Sequence, residues 1–81
     1  MSFSIIKPKN FSKILENAKI MAENNGAILL GDESSGKFEV KTPAITGTYK
    51  VNDDVIFIDI TKKPFLIPEA LIKSKLEEFF K

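Results

Sequence analysis

With 81 residues, 43% of them hydrophobic and 28% charged, the chain has room for one domain, 1–81, and too much apolar content for intrinsic disorder. Eleven acids nearly cancel twelve basic residues to leave a net charge of +1, and the cations are scattered, so no basic stripe marks a nucleic-acid surface. No apolar run approaches the roughly 20 residues of a membrane span, and the opening MSFSIIKPK lacks a secretory signal pattern; the expected setting is the cytoplasm.

The missing residue types narrow the chemistry further. His, Cys, Trp and Arg are all absent, and every cation is a lysine. Zinc, copper and haem lose their usual ligands, and hydrolase triads lose their base. Lysine also lacks the planar fork that grips phosphate or guanine bidentately. No metal, no cofactor and no enzymatic activity are expected, and no nucleic-acid partner.

In chain order, Phe3 to Lys7 is a short apolar run stopped by Pro8, which suits an edge strand. Asn10 is placed to cap a helix through its side-chain oxygen. Phe11, Ile14, Leu15, Ala18, Met21 and Ala22 then share an arc of roughly 120°, with Lys13, Glu16, Lys19 and Glu23 opposite and Ile20 left outside. Gly26 takes the left-handed C′ position cheaply.

From Ala27 the period switches to two. Ala27 to Gly31 is a strand, 32–36 a turn cluster, and Lys37 to Lys41 a strand with Phe38 and Val40 on one face. Pro43 marks the turn into Ile45 to Val51, and Val55 to Thr61 follows. A two-residue Asn52-Asp53 loop would pair Tyr49 with Ile56, Gly47 with Ile58 and Ile45 with Ile60. One face then carries Ile45, Tyr49, Val51, Ile56, Ile58 and Ile60; the other carries Thr46, Thr48, Lys50, Val55, Phe57 and Asp59. A one-residue slip would put the isoleucines beside Thr and Lys.

After the connector Lys62 to Ile67, Pro68 suits the first position of a second helix and Glu69 complements its dipole. Leu71, Ile72, Leu76, Phe79 and Phe80 spread over about half its circumference. The predicted fold is α+β: an antiparallel sheet of four to five strands with two helices on one face, in the order β-α-β-β-β-β-α.

Several motifs invite a function. Residues 31–37, GDESSGK, match a Walker A loop up to its eighth position, where Phe38 replaces the required Ser or Thr, and a strand follows instead of a helix. A hairpin turn is the better reading. Asn10-Phe11-Ser12 spells a glycosylation sequon without an export signal, Asp53-Asp54 fits turn chemistry better than calcium, and Glu77-Glu78 diverge by about 100° on a helix. Asp59 is read as a cross-strand partner for Thr46 or a lysine; an enzymatic alternative would use it with a lysine. Gly47 leaves a notch that admits a helix side chain, marks a bulge or, less readily, opens a pocket.

The clearest functional hint is apolar. Val55 and Phe57 on the second sheet face, with Phe65 and Leu66 in the connector, either form an exposed patch of the kind that marks a partner surface or are buried by the connector folding over them. Phe79 and Phe80 extend the candidate surface. A homodimer, a protein partner and a polymer granule all fit it. The alternative is a small carrier holding an apolar ligand between the sheet and the last helix, in a cavity of about 300 Å³ or more lined by Ile56, Ile58 and Phe79.

From Gly47 onward the chain resembles the polyhydroxyalkanoic acid system proteins, a bacterial family encoded among polyester-storage genes. The resemblance rests on Gly47-Thr48, Val51, Asp54, the alternating apolars to Ile60, Phe65-Leu66 and Ile72. It implies a role at, or in regulation of, polyester storage granules, and no catalytic residues.

Overall fold

A computed structural model describes residues 2–42 and 44–79, the Phe79 side chain excepted. The strand and helix patterns resolve into β1 (Ser2–Ile6), α1 (Phe11–Asn24), β2 (Ala27–Gly31), β3 (Ser35–Val40), β4 (Ile45–Asn52), β5 (Val55–Lys62) and α2 (Glu69–Phe79). The five strands make one antiparallel sheet in the order β1-β5-β4-β3-β2. This is the expected α+β architecture, and β1 is the edge strand its proline predicted. The expected turn at Pro43 lies outside the described residues.

Period-two alternation sorts the sheet into two unlike faces. The inner face carries Phe38, Ile45, Tyr49, Ile56, Ile58 and Ile60, all buried, with Ile56 and Ile58 at 0% and 1% exposure. Phe11, Leu15 and Ala18 of α1 and Ile72 and Leu76 of α2 are buried over it, and the larger of these side chains join one apolar core. Each fully buried isoleucine contributes about 1.5–3 kcal/mol to stability. The fully buried Ala18, with Ala22, lets α1 lie close to β2. Ile20 is exposed as expected, whereas Met21, at the rim of the predicted arc, is also nearly half exposed.

Three local expectations change. Asn10 sits in the left-handed region (φ 58°, ψ 41°) and makes no side-chain cap; instead its carbonyl accepts from the Ile14 N–H at 3.1 Å. A side-chain cap needs extended geometry at that residue to swing the oxygen over the first turn, and the left-handed turn prevents it. The β4–β5 loop is Asp53-Asp54, not Asn52-Asp53: Asn52 pairs with Val55, Val51 with Ile56 and Tyr49 with Ile58. The pairing is two residues off the expected one, so every side chain keeps its face, and Asp53 takes the positive φ (54°) that the tight turn requires. Helix α2 begins at Glu69, with Pro68 just outside accepting from the Leu71 and Ile72 N–H groups.

The notch at Gly47 is filled by a neighbouring strand, not by a helix or a ligand. Gly47 faces Phe38 across the β3–β4 ladder, and a Cβ there would overlap the Phe38 ring. A register shift between Thr46 and Gly47 makes the expected bulge, where the Thr46 and Thr61 hydroxyls lie 3.0 Å apart.

Candidate binding surfaces

The loop that spells most of a Walker A motif is held by packing. Gly31 and Gly36 are cross-strand partners, and the buried Tyr49 ring lies against both; a Cβ on Gly36 would overlap that ring and the Leu30 carbonyl oxygen. Gly31 also adopts φ 136°, which favours glycine. Tyr49 Oη donates to the Asp32 carbonyl at 2.7 Å, Lys19 Nζ donates to the Gly31 carbonyl at 2.7 Å, and the Val51 N–H donates to the Ser34 carbonyl at 2.7 Å. Asp32 Oδ1 accepts from the Ser34 and Ser35 N–H groups at 2.8 and 3.1 Å. Those two bonds, with Lys19 nearby, hold its carboxyl below the ordinary range. Burial pushes the Tyr49 phenol up to about 12, and the Asp32 charge adds to the rise. The backbone N–H groups that would cradle a phosphate in a nucleotide loop serve the Asp32 side chain here.

The connector is the reverse case: an apolar string left in water. The Ile67 N–H donates to the Pro64 carbonyl at 3.2 Å, closing a four-residue turn, and Lys63 Nζ donates to the Ile67 carbonyl at 3.1 Å. Ile67 packs against the core. Anchored at that end and bounded by Pro64 and Pro68, the turn presents its two central residues outward: Phe65 is 93% exposed and Leu66 86%. The connector does not fold back over the sheet.

Val55 and Phe57 lie elsewhere, on the outer sheet face. Phe57 stands level with Ser4 on β1 and Lys50 on β4, about half exposed, and Val55 is level with the exposed Ile6. Five residues of β5, about 17 Å at 3.3–3.4 Å each, separate Phe57 from the strand's end at Lys62. Phe65 and Leu66 belong to the connector that begins at that far end of the strand. Phe80 and the Phe79 side chain lie outside the described residues.

The outer face is hollowed into an open groove of about 970 Å³ whose lining includes Phe57, Lys50, Lys37, Thr48, Asp59 and Leu30. Asp59 stands level with Thr48 and with Ser2, whereas Thr46, its expected partner, stands level with Lys62. On the helix side, the cleft beside Ala18, Ala22, Phe38 and Leu76 holds only about 40 Å³, well short of the roughly 300 Å³ of a ligand cavity. Among the described residues no three acidic, His or Cys side chains gather to hold a metal. Leu71, expected on the packed face of the second helix, is 51% exposed while Ile72 and Leu76 are buried, and Ile6 at the end of β1 is 80% exposed.

In comparisons with family models, curated proteins and solved structures, nothing matches this chain.

Proposed function

We propose that this protein is a non-enzymatic, cytoplasmic binding protein that associates through apolar surface with a partner or a hydrophobic granule. The resemblance to polyhydroxyalkanoic acid system proteins favours the granule. One observation carries the reading: Phe65 and Leu66 project almost completely into water from a turn that is hydrogen-bonded, flanked by prolines and rooted in the core through Ile67. Two large apolar side chains held outward by a fixed backbone gain by burial against another apolar surface, about 1.5–3 kcal/mol each when fully covered. Because the turn is already ordered, little conformational entropy is lost on docking.

Cosedimentation of the purified chain with polyester granules tests this. The native chain is expected in the granule pellet, with partition falling at least about tenfold in the Phe65→Ser/Leu66→Ser double variant. A native chain that stays wholly in the supernatant rules out the granule.

A further inference from the structure

We infer that β2 is where a second copy of this chain adds, each β2 pairing antiparallel with the other across a two-fold axis at Leu29, so that two sheets become one. The contact uses neither Phe65 nor Leu66 and goes beyond the proposed apolar binding.

The sheet has two edges, and only one is blunted. β1 runs into Lys7-Pro8, and lysine and proline are common guards against strand addition. β2 ends the sheet on the other side with AILLG, a run without charge or proline in unbroken register with β3. The Asp32 N–H donates to the Ser35 carbonyl at 2.9 Å, and bonded and non-bonded pairs alternate from there. Leu30 and Ile28 therefore bond to β3, whereas Ala27, Leu29 and Gly31 turn their backbone groups away from the sheet. Pairing Leu29 with the partner's Leu29, and Ala27 with the partner's Gly31, uses the same groups on both copies, as a two-fold interface requires. It also sets Ile28 beside the partner's Leu30 on the outer face, where these side chains are 45% and 52% exposed in the single chain.

Helix α1 favours a second copy over a foreign strand. Lys19 Nζ donates to the Gly31 carbonyl, so this flank of α1 borders the open edge; the carbonyl keeps a second lone pair for a strand partner. Glu23, one turn further along the same flank, stands at the other end of β2, where its carbonyl accepts from the Gly26 N–H at 3.4 Å. The two-fold axis lays Gly31 beside the partner's Ala27, and thereby brings Lys19 towards the partner's Glu23, once on each side. An unrelated extended segment would pair with the backbone but bring no counter-charges for this flank.

Solution mass and amide exchange of the full chain test this. At roughly 0.2 mM the mass is expected at twice the 9.1 kDa of one chain. The Leu29 amide should exchange at least about tenfold more slowly than in dilute solution, with the Ser4 amide on the β1 edge unchanged. Ile28→Lys/Leu30→Lys sets lysines opposite each other across the axis at exposed sites and should give a folded monomer. Lys19→Glu and Glu23→Lys should each weaken association at least about tenfold. An equimolar mixture of those two variants should restore it, because each then carries the charge that the other lacks. A native chain that stays at 9.1 kDa, a dimer indifferent to Ile28→Lys/Leu30→Lys, or a dimer lost instead in Phe65→Ser/Leu66→Ser overturns the inference. A chain that pairs as expected yet stays in the supernatant with granules removes the granule reading alone.

Discussion

The 32–34 turn and the 63–68 connector are opposites in composition and in how they are held. The first is wholly polar and lies within 31–37, which spells most of a phosphate loop, yet the flanking Gly31 and Gly36 make room for a tyrosine ring and Asp32 accepts from the backbone of its own turn. The second contains Phe, Leu and Ile in succession, as a core segment would, yet only Ile67 reaches the core. The match to a phosphate loop ends in packing, and the apolar string of the connector ends at the surface. A residue's role follows from what stands opposite it, and neither loop's sequence names its opposite.

The sharpest way to break this comparison is Gly36→Ala. Its Cβ would collide with the Tyr49 ring and the Leu30 carbonyl, and overpacking there should cost about 3 kcal/mol, lowering the melting temperature by more than about 10 °C in a domain of this size. Gly26→Ala is the comparator: its φ of 72° costs about 1–2 kcal/mol, but nothing lies within 4 Å of the new methyl. Equal losses for the two would mean that no ring packs on Gly36.

A smaller effect is expected from Tyr49→Phe, which removes the bond to the Asp32 carbonyl at a cost of about 1 kcal/mol. It also carries a pH signature. The folded phenol titrates at about 12, above the unfolded value of about 10. Its contribution is therefore complete below pH about 10 and is lost as pH rises towards 12. Tyr49 is the chain's single tyrosine, so the phenolate absorbance band reports it alone. Chemical denaturation across that range should show a steeper alkaline loss for the native chain than for Tyr49→Phe; parallel curves would contradict the burial of the phenol.

The least effect belongs to the connector. Phe65→Ser/Leu66→Ser should change stability by no more than about 0.5 kcal/mol in the same denaturation experiment. A loss approaching that of Gly36→Ala would place these side chains in a packed environment and erase the contrast between the two loops.

Much of the architecture was legible because it depends on period. Phe11, Leu15, Ala18 and Ala22 recur at helical spacing and Ile56, Ile58 and Ile60 at strand spacing, so the buried faces and the element order could be read directly. The β4–β5 pairing shows the limit of that signal. Parity, which decides what is buried, was correct, while the register was off by two because Asn52-Asp53 and Asp53-Asp54 are equally good turn formers. The candidate surface was less legible. Val55, Phe57, Phe65 and Leu66 could be singled out as apolar residues outside the main pattern, but whether the connector buries them or leaves them in water depends on where it goes.

What the order of residues determined alone is therefore the set of elements and the side each one turns inward, since backbone geometry converts spacing into direction without help from distant parts of the chain. What only tertiary structure decided is which residues meet: Tyr49 with Gly31 and Gly36, Phe38 with Gly47, and Phe65 and Leu66 with solvent. Those outcomes depend on contacts between segments far apart in sequence, where shape and space select the partner and local propensity is silent.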